Sequence, residues 1–428
     1  MHGFVIGLDL GTSGVRAVAV DASGQLLGIG AAKLPPTKAT GSRREQSPED
    51  WWNGCRTALD ELGTKIDLSG AKAIAVDATS GTILPIDHHN RPLALARMYD
   101  DADTGDLAAQ IKKMAPRESA AHGATSPAAR ALEWTKLPRL HCILHQADWI
   151  NGCLGATNWQ TDENNALKTG YDPVSRSWPD WLRGFGLSPG LLPEVVPVGT
   201  PIGYVSSQAA LALGIPEGIT IAAGTTDGCA TFLASGATLP GEASTALGST
   251  IVLKLLSDRP IFAPELGIYS HRLGDTWLAG GASNCGGKTL LQFFTQEQLS
   301  TLEASLEPSK PTGTDFYPLP SVGERFPVSD PNLAPRLTPR PADDKVFLQG
   351  IYEAFARVEQ TGYAKLATLG GPTLLNVRHA GGGSKSTAWM SLRASALGVP
   401  QLPAWSEEAA AGAARLAWRS LGHEITFA

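Results

Sequence analysis

Phe4-Val5-Ile6-Gly7-Leu8-Asp9-Leu10-Gly11-Thr12-Ser13-Gly14-Val15-Arg16-Ala17-Val18-Ala19-Val20 reads as strand, turn, strand. An apolar run ends in a carboxylate. Four small residues then make a turn, and a second apolar run follows. Ser23-Gly24 turns again and residues 26–29 return as a third strand, so the opening is an antiparallel meander. Much later the pattern restarts: Ala246-Leu247-Gly248-Ser249-Thr250 precedes a strand at 251–256. Each time a glycine and two hydroxyl residues adjoin an apolar strand. The two pieces open the two halves of the chain, so the expectation is a duplicated α/β architecture, two lobes around a central cleft.

Outward from these anchors, Ser47-Pro48-Glu49-Asp50 reads as a helix start, with a cap, a proline in the first turn and a capping-box acid. Trp51, Cys55, Ala58, Leu59 and Leu62 recur behind it at helical spacing. A strand at 73–76 runs into Asp77 and a Thr79-Ser80-Gly81-Thr82 turn, and 83–86 follows as another. Residues 100–197 read as mostly helical. Strand signal at 219–223 leads into Gly224-Thr225-Thr226-Asp227-Gly228. Residues 308–341, rich in proline and charge, read as an extended excursion outside the core. Residues 347–369 have helical spacing. A strand at 377–380 then meets Gly381-Gly382-Gly383-Ser384-Lys385-Ser386 and a helix to Leu397, and 407–421 is the last helix.

Composition narrows the function class. A chain of 428 residues is long for one core, which favours two lobes. The net charge of −6 is spread along the sequence, which argues against nucleic acid or an anionic membrane as partner, because both reward a basic face. No apolar run suffices to span a bilayer, and Asp9 interrupts the first one, against a secretory leader. The five cysteines form no CxxC pair and read as core thiols of a reducing compartment. A cytoplasmic protein is expected, monomer or homodimer.

Several motifs carry chemistry, each with a structural rival. The Gly11-Thr12-Ser13-Gly14 turn can offer backbone N–H groups to phosphate oxygens, with Asp9 holding Mg²⁺ directly or through water. The rival is an aspartate bonding its own turn. Asp227, where a strand meets a glycine turn, can accept the proton of an attacking alcohol, or can cap the helix after it. Gly248, Ser249 and Thr250 form a second phosphate hairpin or a tight turn. Gly381-Gly382-Gly383 lets a nucleotide base lie on bare backbone or merely joins strand to helix. Gly286-Gly287-Lys288-Thr289 looks like the end of a P-loop, but position 282 is alanine where that loop needs glycine. His141 and His145 have zinc-like spacing without the glutamate that should accompany them.

Taken in order, Asp9-Leu10-Gly11-Thr12-Ser13, Gly224-Thr225-Thr226-Asp227, Leu247-Gly248-Ser249-Thr250, Gly280-Gly281-Ala282-Ser283-Asn284 and Ala380-Gly381-Gly382-Gly383-Ser384-Lys385-Ser386 resemble the FGGY carbohydrate kinases. Glu408-Ala409-Ala410-Ala411-Gly412-Ala413-Ala414 is similar to that family's closing helix. The resemblance spans nearly the whole chain. It implies the actin-like ATPase fold, with two ribonuclease-H-like lobes: residues 1–234 completed by 408–428, and residues 235–407. It implies ATP and Mg²⁺ as cofactors and a small sugar as substrate. Carried over, Asp9 handles the metal and the sugar, and Gly11, Thr12, Ser13 and Gly14 handle phosphate. Gly248, Ser249 and Thr250 face them, and Gly382, Gly383, Ser386 and Trp389 lie near adenosine. Asp227 is the catalytic base. One segment departs from the family: a Trp-x-Asp-x-Arg-like stretch is replaced by Met98-Tyr99-Asp100-Asp101-Ala102-Asp103, and Arg130 stands where a lysine is common. Compact length, Asp77-Ala78-Thr79-Ser80-Gly81-Thr82 and Gln146-Ala147-Asp148-Trp149 resemble the short cyanobacterial and plant branch. That resemblance favours D-ribulose, with Ser80 and Asp9 near the sugar. D-xylulose, glycerol-type polyols and a non-kinase nucleotide switch are the alternatives.

Overall fold

The computed structural model describes residues 3–425. The chain divides into two compact units: residues 1–234 with 271–274 and 408–428, and residues 235–270 with 275–407.

Unit 1 is built on six strands: β1 (Phe4–Leu10), β2 (Gly14–Asp21), β3 (Leu26–Lys33), β4 (Ala71–Ala78), β5 (Pro201–Tyr204) and β6 (Thr220–Thr226). They pair in the order β5-β6-β4-β1-β2-β3. β1, β4 and β6 run parallel, while β1–β2, β2–β3 and β5–β6 are antiparallel. β1 is buried along almost its whole length, as a central strand covered on both faces must be. The register sets Leu8, Ala17 and Gly30 side by side on one face, and Gly7 and Val18 on the other. Helix α1 (Pro48–Gly63) lies on the first face so closely that a Cβ on Gly30 would fall 2.0 Å from the carbonyl oxygen of Ala58. The other face is covered by a helix from the far end of the chain.

Unit 2 repeats the plan. Its strands β7 (Glu242–Leu247), β8 (Ile251–Ser257), β9 (Thr276–Ser283), β10 (Asn376–Ala380) and β11 (Gln401–Pro403) pair in the order β9-β8-β7-β10-β11. β7–β8 and β8–β9 are antiparallel, and β7–β10 and β10–β11 are parallel. This is the order and sense of β3-β2-β1-β4-β6. The two sequence hairpins therefore occupy equivalent turns, β1–β2 and β7–β8.

Three helices abut the strand ends or cover the first sheet: α2 (Asp227–Ala234), which leaves β6; α3 (Thr387–Leu397), which comes after the glycine triplet; and α4 (Ala409–Ser420). α4 is the second cover of β1. A Cβ on Gly7 would sit 1.8 Å from the carbonyl oxygen of Ala410, and one on Gly412 would sit 1.9 Å from that of Ala230 in α2. The indole of Trp418 donates to the carbonyl of Val20 at 3.0 Å. The run of alanines with Gly412 is thus the seam through which α4 approaches strand and helix at once.

Three expectations need correction. Residues 100–197 are not mostly helical: helices of five to nine residues alternate with short strands such as Cys142–His145 and Gln160–Asp162. Glycines at positive φ, Gly123, Gly155, Gly170 and Gly186, interrupt the helical spacing. Residues 308–341 hold no helix or strand beyond isolated bridges, yet Phe316, Leu319 and Phe326 are buried in the unit 2 core. Phe326 fills the space that Gly281 and Gly362 leave bare. Ser47 precedes α1 as expected, but its hydroxyl bonds the Glu49 carboxylate at 2.5 Å and no capping box forms.

Candidate active site

In unit 1 the carboxylates gather where the parallel strands end. Asp9 near the end of β1 and Asp77 near the end of β4 are register partners, so they stand side by side on one face. Thr225 of β6 is the next partner in the same row, and Asp227, two residues on, opens α2. The Asp227 carboxylate accepts from the amide of Gly228 at 2.7 Å. Asp77 is fully buried, and its carboxyl shares a hydrogen bond with that of Asp9. Burial raises the pKa of Asp9 to about 6, with the Asp227 charge adding to the rise and the contact with Asp77 opposing it. Burial, then the neighbouring charge of Asp9, pushes Asp77 well above the ordinary carboxylate range. Beside them the Gly11 amide closes the hairpin on the Gly14 carbonyl at 3.0 Å. Among the described residues the amides of Thr12 and Ser13 donate to no protein acceptor. A small-residue turn with open N–H groups next to carboxylates suits a metal-bound phosphate.

Titration of such carboxylates has a consequence for stability. Asp162, buried at the end of its strand, is also raised, to about 7, chiefly by burial. Groups of this kind keep their proton in the folded chain above the pH at which the unfolded chain has lost it. Folding stability should therefore fall as pH rises between about 4 and about 7. The rise of Asp162 corresponds to about 4 kcal/mol. Asp87, depressed to about 2 by Arg91 and backbone amides, loses its contribution only below that window. His141 and His379, lowered by burial, act in the opposite sense inside it. Urea unfolding near pH 5 and near pH 7.5 measures the sum; a less stable protein at the acid value would contradict it.

The turn after β4 carries Ser80, whose hydroxyl oxygen is buried and has no partner. Lys168 reaches the Ser80 carbonyl at 3.4 Å. Arg130, fully buried, donates to the carbonyls of Gly81 (2.7 Å), Thr125 (3.0 Å), Arg97 (2.9 Å) and Met98, and so ties this turn to the divergent 98–103 segment. In that segment Asp101 is taken up by a two-pronged pair with Arg97, at 2.6 and 2.7 Å. Tyr99 and Asp100 remain exposed. Sequence reasoning missed Arg97 and Lys168; the only signal was a charged residue inside a small-residue stretch.

In unit 2 the equivalent hairpin spans Gly248, Ser249 and Thr250. It opens onto a cavity of about 410 Å³, lined among others by Gly382, Gly383, Ser386, Trp389, Tyr352 and Glu303. Gly382 has open space where a Cβ would be, so its backbone is accessible to a ligand; Gly383 has the Trp389 ring 2.3 Å from that point. Trp389 is only 2% exposed and stacks on Tyr352, with centroids 5.3 Å apart. Glu303, not anticipated, accepts from the Ser386 hydroxyl (2.7 Å) and the Ala388 amide (3.0 Å) and anchors the start of α3. The P-loop alternative fails physically. The amides of Gly287 and Lys288 donate to the carbonyls of Gly248 and Ser249, so they support the hairpin and do not face a phosphate. His145 is buried against Asp148 and Thr169, while His141 stacks on His88.

Residues 4–234 match the N-terminal domain of the FGGY family of carbohydrate kinases, and residues 243–421 match its C-terminal domain. The chain belongs to the FGGY family. It is an ATP-dependent sugar kinase of that family, acting on a small sugar. The chain is 25% identical to an autoinducer-2 kinase of Yersinia enterocolitica, covering 98% of this chain and 86% of that one. With a xylulose kinase of Staphylococcus epidermidis the identity is 24%, over 98% and 88%. The crystal structure of xylulose kinase from Rhodospirillum rubrum superposes with a TM-score of 0.85, at 23% identity, over 99% of this chain and 91% of that one. The fold is thus the two-domain actin-like ATPase fold. Among the described residues no helix is long and apolar enough to cross a membrane.

Proposed function

We propose that this FGGY kinase transfers the γ-phosphoryl group of ATP to the terminal hydroxyl of D-ribulose, giving D-ribulose 5-phosphate. The observation that carries a neutral polyol acceptor is the pairing of Asp9 with Asp227 at the strand ends, whose charges would repel an anionic sugar acid and one of which, Asp227, can accept a hydroxyl proton. Ser80, with a buried hydroxyl lacking a partner on the turn after β4, supplies a further polar contact. Asp227 takes the proton of the attacking hydroxyl as the new P–O bond forms, late in a loose transition state. The open amides of Thr12 and Ser13, with the equivalent hairpin of Gly248 to Thr250, hold phosphate oxygens, and Gly382 with its neighbours receives adenosine. Asp9, a partly exposed carboxylate beside open amides, fits Mg²⁺, which when bound neutralises charge on the phosphate oxygens. D-xylulose is the second reading, favoured by the xylulose kinases among the similar proteins.

ADP release should be measured with D-ribulose, D-xylulose, L-ribulose, ribitol and glycerol, beside a sugar-free blank. Stimulation by D-ribulose above all others is the expected result. Stimulation by D-xylulose alone moves the assignment to the second reading. Equal release in every tube, blank included, would sink the kinase reading in favour of a nucleotide switch.

A further inference from the structure

Three elements of unit 2 each send a residue to the wall of the cavity proposed to receive adenosine: Leu247 at the end of β7, Trp389 in α3, and Tyr352 in the long helix Asp344–Thr368. Each element also carries a polar residue on the same face, further from the cavity. Thr245 stands two residues before Leu247, Arg393 four after Trp389, and Glu359 seven after Tyr352. These spacings are one strand repeat, one helical turn and two turns, so the three polar residues form a layer beneath the three wall residues.

That layer is a closed polar knot. The Arg393 guanidinium donates through Nε and Nη2 to the two oxygens of Glu359, each at 2.6 Å. The Thr245 hydroxyl donates to Glu359 Oε1 at 2.6 Å. The Tyr363 hydroxyl, 2.8 Å from that of Thr245, donates to the Ser244 carbonyl at 3.0 Å. Arg393, Glu359 and Thr245 are at most 1% exposed, and Tyr363 belongs to the apolar core of unit 2. Stability alone does not account for charges in such a place. Stripping water from both ions offsets most of what their attraction returns, so apolar residues of similar volume would hold the core as well. What a two-pronged pair adds is direction, because it fits one rotation and one height of α3 against the long helix.

We propose that Glu359 and Arg393, linked through Thr245 to β7, are positioning residues for the nucleotide. They hold the three walls of the cavity at one spacing before the ligand arrives. The link to the strand matters because β7 leads, three residues after Thr245, into the Gly248 hairpin. One buried pair thereby keeps the base wall and the phosphate hairpin in a common frame. Walls ordered in advance spare the ligand the cost of ordering them, and affinity rises accordingly.

The inference rests on the reading that places adenosine in this cavity, so the test separates the two. ADP affinity is measured by calorimetry, and stability by urea unfolding, for wild type, Glu359→Leu with Arg393→Met, Thr245→Val, and Gly382→Leu. The paired apolar replacement leaves no buried charge unmatched, so it should unfold at the urea concentration of wild type or above. It should nevertheless bind ADP about tenfold more weakly or worse, because its walls are no longer fixed. KM for the sugar that best stimulates turnover, taken at saturating ATP, should stay at the wild-type value. Thr245→Val keeps the pair and cuts its link to the strand, so ADP binding should weaken about threefold. That variant carries the test where the double replacement does not fold. Wild-type ADP affinity in the folded double variant, or in Thr245→Val where that stands alone, overturns the inference and leaves the cavity as the adenosine site. A sugar KM that rises in step with the ADP dissociation constant would mark a general loosening and overturn it equally. Undiminished ADP affinity in Gly382→Leu, whose side chain would enter the open space of the cavity, overturns both readings.

Discussion

Asp227→Asn is expected to lower sugar-dependent ATP turnover by about 10²–10⁴-fold, the usual range for losing a positioned general base. The loss should fall on kcat more than on KM, because a base acting as the bond forms contributes little to the ground state. Stability should be nearly unchanged. Asparagine retains the side-chain oxygen that accepts from Gly228. The substitution also removes a charge that raises the pKa of Asp9, so the Asp9 titration should move down. That shift would show that the side chain lies where the structure puts it, whatever the activity does. Turnover within about tenfold of wild type would remove Asp227 from the role of base.

Gly412→Ala sets two effects against each other. In an exposed helix interior the change would stabilise by about 1 kcal/mol, because alanine is the better helix former. Here the new methyl would lie 1.9 Å from the carbonyl oxygen of Ala230 and 2.7 Å from its carbon. Backbone of two packed helices must separate to admit it, and overpacking of this kind costs about 1–3 kcal/mol, occasionally more. Contact this short puts the substitution at the upper end, so a net loss of about 2 kcal/mol or more is expected by urea denaturation. Activity should fall with it, since Ala230 lies in the first turns of the helix that Asp227 begins. A variant more stable than wild type would show that α4 and α2 can part without cost.

The strands that build both sheets were legible because β1 and its counterpart β7 are short runs ended by small-residue turns, a local signal. The pairing order beyond each meander was not. Nothing in the sequence near Asp9 says that Asp77 becomes its register partner, for that depends on a crossover through α1. Asp9, Asp227 and the two hairpins were readable because a carboxylate or glycine at a strand end stands out against apolar neighbours. Lys168, Arg97 and Glu303 were not, because their meaning lies in the distant carbonyls, carboxylates and amides that they hold. The segment 100–197 misled for a related reason. Its apolar spacing serves short elements packed around buried polar groups such as His145 and Asp162, and the glycines between them decide where each stops.

The cover that α4 places on β1 has a consequence for how the chain is made. Val20 and Trp418, joined by a hydrogen bond, are 398 positions apart. A growing polypeptide therefore emerges with the Gly7 face of its first sheet bare, and it stays bare while all of unit 2 is being translated. Unit 2, whose segments lie between, can condense during that interval. The first-made half is the last to be finished, held open for tens of seconds at ordinary elongation rates. A nascent chain stalled before α4 should accordingly be captured by hydrophobic-binding chaperones through its N-terminal half, and be released from them once residues 409–420 have cleared the exit tunnel.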